Sequence, residues 1–146
     1  MIIEKLTPEE YKPALELVWR VFLEFEAPDY TQEGIDEFRR SIGDPDFLSK
    51  LTFYGAYIDS ALAGVIATRS LGSHVALFFV DRQYQRQGIG RELLNAALAD
   101  CRFDSVTVNS SPYAVEIYRR LGFTETDKEQ TVNGLRFTPM RIVISY

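Results

Sequence analysis

At 146 residues, 46% hydrophobic and 25% charged, the chain has the size and composition of one globular domain spanning residues 1–146. A net charge of −5 argues against a nucleic-acid surface that tracks phosphates, and no apolar run approaches the roughly 20 residues that span a bilayer. The single cysteine, Cys101, excludes an internal disulfide framework and fits a cytoplasmic setting, and Met1-Ile2-Ile3 turns polar too soon for a secretory signal.

Residues 2–5 read as a first strand. Thr7-Pro8-Glu9-Glu10 then has the form of a capping box with Pro at the first helical position. In the helix that follows, Tyr11, Leu15, Val18, Trp19, Phe22 and Leu23 recur at helical spacing as a buried stripe, with Pro13 expected to kink or delay the first turns. A loop, Glu26-Ala27-Pro28-Asp29-Tyr30, brings two carboxylates and an aromatic. Thr31 caps a second helix through Phe38 and Ile42, ended by Gly43-Asp44-Pro45.

The pattern then changes to short aromatic and β-branched runs. Residues 51–58, 62–70 and 74–81 read as strands, joined by Asp59-Ser60 and Leu71-Gly72-Ser73, connections short enough for antiparallel hairpins. The third of these strands stops at Asp81, and a polar loop ends in Gly88-Ile89-Gly90 before an amphipathic helix with Ile89, Leu93, Leu94, Ala97, Leu98 and Cys101 inside. Such a junction suits an anion, because a helix start exposes unpaired N–H groups and glycines let phosphates come close. Arg82, Arg86 and Arg91 add three positive charges with no acid between them.

Residues 103–109 read as another strand. Ser111-Pro112 opens a helix with Ala114, Ile117, Tyr118 and Leu121 on one face, and Gly122 stops it. Residues 123–132 and 135–146 flank Asn133-Gly134, a strong two-residue hairpin signal. The sum is an α/β (α+β) fold, β-α-α-β-β-β-α-β-α-β-β, with a single mixed, mostly antiparallel seven-stranded sheet and helices on both faces.

The residue inventory removes several chemistries. With His74 the only histidine and Cys101 the only cysteine, no zinc site of His and Cys ligands can be assembled. No Gly-x-Ser-x-Gly elbow accompanies His74 for a serine triad. The glycine loop lacks the Lys-Ser/Thr of nucleotide hydrolases, and Leu93 stands where a dinucleotide fingerprint needs its third glycine.

Gln85-Arg86-Gln87-Gly88-Ile89-Gly90 instead resembles the Gln/Arg-x-x-Gly-x-Gly/Ala signature of the GNAT superfamily of acyl-CoA-dependent N-acetyltransferases. Phe78-Phe79-Val80-Asp81 ahead of it resembles the family's fourth strand, and the stretch from Ser111 to Tyr118-Arg119-Arg120-Leu121-Gly122-Phe123 its second conserved block. The resemblance is clearest over residues 51–123. It implies acetyl-CoA as co-substrate, with no metal. The pyrophosphate would lie on the backbone of Gln85, Arg86, Gln87, Gly88, Ile89 and Gly90 beside Arg91, and the pantetheine on the backbone of Phe78 and Val80 between splayed fourth and fifth strands. Asn109 and Ser111 stand where the family often contacts the cofactor, although Asn is commoner at the second position.

The resemblance makes Tyr118 the acid that protonates the departing thiolate. Read from periodicity alone, Tyr118 is a core tyrosine. The resemblance thus implies acetyl transfer to a primary amine, on a small molecule, peptide or protein, by direct attack, with no nucleic-acid or membrane partner. A base is not apparent: residues 75–80 hold no carboxylate, Glu24, Glu26 and Asp29 are the nearest by fold position, and His74 falls at a strand start. That gap keeps an alternative open, a non-catalytic acetyl-CoA/CoA-binding regulatory or interaction module. A homodimer through residues 141–146 is likewise open, since that strand can be either internal or shared with a partner.

Overall fold

The computed structural model describes residues 1–144. Its frame is one open sheet with the strand order β1-β2-β3-β4-β5-β8-β6, β7 pairing separately with β8. The strands are β1 (Ile2–Lys5), β2 (Thr52–Ile58), β3 (Ala61–Arg69), β4 (His74–Val80), β5 (Ser105–Ser110), β6 (Thr124–Glu125), β7 (Gln130–Val132) and β8 (Leu135–Val143). All neighbours run antiparallel except β4 and β5. The two-residue turns form as their residues allow: Asp59 and Ser60 take φ of 48° and 68°, and Asn133 and Gly134 take 52° and 78°.

Alternation along the strands divides the core between the two faces. Phe53, Val65, Leu77 and Phe79 pack under α1 (Tyr11–Val21) and α2 (Gln32–Ile42) together with Val18 and Phe22. Tyr54, Ile66, Val106 and Val108 pack under α4 (Ile89–Ala99) and α5 (Val115–Leu121) with Leu93, Leu94 and Tyr118.

Several sequence expectations shift. Residues 123–132 are not one strand but β6 and β7, so the sheet has eight strands rather than seven. Pro139, in register on β8, has no N–H to continue the ladder, and Asp127 draws the intervening chain into local bonds from the Lys128 N–H and Gln130 Nε2. Leu23 is exposed, because the buried stripe of α1 runs through Ala14, Leu17, Val18 and Val21 to Phe22. Pro13 delays the helix rather than kinking it: the capping box opens a short 3₁₀ turn, and α1 begins at Tyr11 with Pro13 in its first turn. Pro45 begins a further short helix, α3 (Pro45–Ser49), because Asp44 accepts from the Asp46 N–H at 2.9 Å. Residues 103 and 104 lie before β5, and α5 starts at Val115 with Ile117 exposed. Cys101 lies just past the end of α4, half-buried. Of residues 141–146, the part through Val143 is internal, paired with β5 and β6, and Ser145 and Tyr146 lie outside the described residues.

One contact fixes the rim of the site. The tip of the β7–β8 hairpin lies on α2 backbone to backbone: a Cβ on Gly34 would stand 2.3 Å from the Gly134 carbonyl oxygen, and one on Gly134 would stand 2.6 Å from the Gly34 nitrogen. Tyr30 then donates its hydroxyl to the Arg136 carbonyl at 3.2 Å, and Arg136 Nη1 donates to the Asp29 carbonyl at 3.2 Å. Gly34→Ala, on a surface helix where alanine ordinarily stabilises, is therefore expected to destabilise by about 1–3 kcal/mol, because backbone on both sides must give way. Thermal or urea denaturation of the variant checks it.

Candidate active site

The ladder between β4 and β5 holds at only two positions, His74 with Thr107 and Val75 with Val108. Beyond them the strands part. The Asp81 N–H donates to the Ala63 carbonyl at 2.8 Å, so by alternation the backbone groups of Val80 and Phe78 face away from β3 and into the gap. One of those groups is already used: Gln85 Nε2 donates to the Val80 carbonyl at 3.0 Å.

At the open end the chain leaves β4 through a 3₁₀ turn, Arg82–Tyr84, started by Asp81 Oδ1, which accepts from the Gln83 N–H at 3.1 Å. Arg86 (φ 63°) and Gly88 (φ 81°) then take left-handed conformations that aim the loop into α4, with Gly88 as its N-cap. A Cβ on Gly88 would meet nothing within 4 Å, so it is the backbone conformation that calls for glycine. The loop and the gap enclose a cleft of about 500 Å³. Phe78, Val80, Gln85, Arg86, Gly88, Ile89, Gly90 and Arg91 all line it, as does Tyr118. Gln87 turns aside to donate to the Gln83 carbonyl, and Arg82 is drawn off to Glu24 at 3.1 Å.

A second hollow of about 520 Å³ opens on the other side of the gap, between α2 and the β7–β8 hairpin. Asn109 and Ser111 line this one rather than the loop cleft; Ser111 Oγ accepts from the Ala114 N–H at 3.3 Å. The two hollows share a wall made of Glu26, Phe78, Phe79, Ala114 and Tyr118.

Glu26 reaches that wall by an irregularity in the helix. After Val21 the chain widens into a π turn over Phe22–Glu26, closed by an Ala27 N–H bond to the Phe22 carbonyl, five residues back. Burial pushes the Glu26 carboxyl up from 4.5 to about 8; the nearby Ser111 hydroxyl opposes the rise and Asp29 adds to it. Tyr118 is buried edge-on to Phe78 and Phe123, with centroids 5.9 and 5.2 Å away. Burial first, and Glu26 second, push its hydroxyl far above the ordinary tyrosine value, so it stays protonated. Among the described residues no fully buried side-chain polar atom lacks a partner, and the Tyr118 hydroxyl bonds to no other residue, so it opens into the hollow.

The GNAT acetyltransferase domain model matches residues 26–144. The chain belongs to the GNAT acetyltransferase family. A GCN5-related N-acetyltransferase from Rhodopseudomonas palustris superposes with a TM-score of 0.82 at 19% identity, covering 98% of this chain and 95% of that one. The PaiA N-acetyltransferase of Thermoplasma acidophilum, solved with coenzyme A, gives 0.77 at 20% identity over 99% and 100%. At such identities these likenesses establish the GNAT fold. A curated relative, a glutamine-hydrolyzing GMP synthase component of Methanopyrus kandleri, is 31% identical over 117 residues, 77% of this chain; the match spans only 34% of that protein's length.

GNAT enzymes use acetyl-CoA as co-substrate, and the residues present fit it. Gap-facing backbone suits an amide-bearing arm, and the left-handed turn at Gly88 ahead of α4, flanked by Arg86 and Arg91, suits a pyrophosphate. His74 is held at Thr107 Oγ1, 2.8 Å away, and burial with Arg69 lowers its pKa to about 4, which leaves it neutral and structural. Glu26 was only one of three sequence candidates. Glu24 is paired with Arg82, Asp29 is exposed, and only the π turn singles out Glu26. No helix among the described residues is long and apolar enough to cross a membrane.

The raised carboxyl has a consequence for stability. A group that titrates at 4.5 when unfolded and near 8 when folded binds more protons in the native state between those values, so stability falls as pH rises through that window. Glu26→Gln is expected to flatten this slope, melting several degrees above wild type at pH 9 and close to it at pH 4. Melting curves of both proteins across that range check it.

Proposed function

We propose that this chain transfers the acetyl group of acetyl-CoA to a primary amine by direct attack. The observation that carries the reading is the shared wall: Glu26 and Tyr118 stand together where a cleft fit for the donor meets a hollow fit for an acceptor. Residues 85–90 would hold the pyrophosphate on their backbone, with Gln85, Gln87, Gly88, Ile89 and Gly90 setting the turn and Arg86 and Arg91 facing the phosphates. Phe78 and the free N–H of Val80 would pair with the pantetheine amides, Gln85 having taken the Val80 carbonyl. Asn109 and Ser111 would border the acetyl end from the acceptor side.

Bound there, acetyl-CoA supplies an activated thioester whose sulfur leaves as a thiolate. An attacking amine must shed a proton, and Glu26 is suited to take it because its raised affinity is nearer that of an amine than an ordinary carboxylate's. Tyr118 holds a proton toward the place where the sulfur departs. Negative charge on Glu26 raises the proton affinity of the Tyr118 hydroxyl, which keeps Tyr118 in the acid form. A non-catalytic module drew its support from the want of a base, and Glu26 answers that want.

Tyr118→Phe is expected to keep acetyl-CoA affinity within about twofold while turnover falls roughly 100-fold or more. Glu26→Gln is expected to lower kcat/KM comparably and to abolish the limb expected of the wild type near pH 8. Thermal titration with acetyl-CoA measures the first quantity, and free-thiol release over an amine panel the others. Stabilisation without acceptor-dependent thiol release would sink the enzymatic reading, and unchanged turnover in Tyr118→Phe would remove the acid.

A further inference from the structure

The charges around the second hollow do not balance. Two acidic and two basic side chains line it: Glu26, Glu37, Arg69 and Arg136. Glu37 is ion-paired with Arg40, and Arg136 is held by Glu129 at 3.2 Å and by the Asp29 carbonyl. Glu26, with its raised affinity for protons, carries little negative charge at neutral pH. Arg69 is exposed and makes no ion pair or side-chain hydrogen bond among the described residues. The hollow of an acidic protein therefore presents one uncompensated positive charge.

Its place is as informative as its sign. Arg69 ends β3 and pairs with His74, at the zipped end of the β4–β5 junction. Glu26 lies at the parted end, beside Phe78 and Phe79. Four residues of strand separate His74 from Phe78, roughly 13 Å. The hollow's apolar lining comes from Ala76, Phe79, Phe22, Phe38, Leu135 and Phe137, beside the polar Tyr30, Asn109, Ser111 and Asn133. Along the hollow the order is proton acceptor, apolar lining, cation.

We infer that the acceptor is a small amine with an apolar body and a carboxylate at its far end, bound by Arg69. The inference rests on the acetyl-transfer reading above. A diamine would bring a second ammonium up to Arg69, and an α-amino acid carries its two charges too close together to reach both ends. The volume of about 520 Å³ suits a molecule of this size. Arg69 thereby becomes a specificity-determining residue, far from the bond being made.

The test compares matched acceptors, para-(aminomethyl)benzoate against benzylamine and ω-aminohexanoate against hexylamine, in wild type and Arg69→Gln with acetyl-CoA. In wild type the acid-bearing member of each pair is expected to have the higher kcat/KM, by roughly 10- to 100-fold and mainly through KM, as for a charge-assisted hydrogen bond. In Arg69→Gln the two members of each pair should become nearly equal. A second readout needs no turnover: para-toluate should raise the melting temperature of wild type in the presence of coenzyme A and leave Arg69→Gln unmoved. Equal use of both members by wild type, or a preference that survives in Arg69→Gln, overturns the inference while leaving acetyl transfer intact. Absence of thiol release from every amine counts against acetyl transfer itself, and Arg69 as a carboxylate-binding site is then judged by the para-toluate shift, which overturns it if wild type does not respond.

Discussion

Everything at this site depends on two strands that begin to pair and then stop. A sheet interrupted in its interior leaves N–H and C=O groups that cost free energy if they stay buried and unpaired. Here the interruption is stabilised from three directions. His74 and Val75 zip one end, the ring of Tyr118 packs edge-on to Phe78 behind the gap, and Gln85 reaches back to satisfy the Val80 carbonyl. What remains unsatisfied is turned toward a cleft, where a ligand with amides can complete the ladder. On the proposed reading, the complement of this defect in the fold is the co-substrate.

The two sides of that gap are physically tied. Arg20 pairs with Asp81 and Arg82 with Glu24, so the end of α1 and the π turn that carries Glu26 are laced to the loop leading into α4. Phe25 of the same turn stacks on Tyr113 across the cleft at 5.2 Å. Exposed ion pairs of this kind are each worth only about 0–1 kcal/mol, so they contribute little to overall stability. Their effect is on position.

Residues 85–90 and 111–123 were legible in the sequence because their chemistry is local: glycines at forced backbone angles, a helix start, and an aromatic on a fixed helical face. Glu26 was not, because nothing in Phe22-Leu23-Glu24-Phe25-Glu26 shows that one turn will widen and which of two glutamates it will present; Glu24 and Glu26 differ only in where tertiary packing aims them. Arg69 had no motif at all, since its meaning comes from partners it lacks. The hairpins joining β2, β3 and β4, the one at Asn133-Gly134, and most element ends followed from alternation and turn residues. The break between β6 and β7 depended instead on Pro139, some ten residues away, in a neighbouring strand. Buried stripes were read correctly in kind and by a rotation wrongly in detail, as with Leu23.

The glycine contact between α2 and the β7–β8 hairpin separates the molecule into parts that can change independently. As proposed, donor recognition lies in β4, its loop and the start of α4, whereas one wall of the second hollow is a hairpin held at a backbone crossing and clamped by Tyr30 and Arg136. None of residues 130–137 lines the cleft beside the phosphate-facing loop, so this wall is spatially separate from it apart from the crossing that needs a residue without a side chain. Such a wall is a graftable module: new acceptors could be recruited by replacing eight residues on an unchanged acetyl-delivery frame.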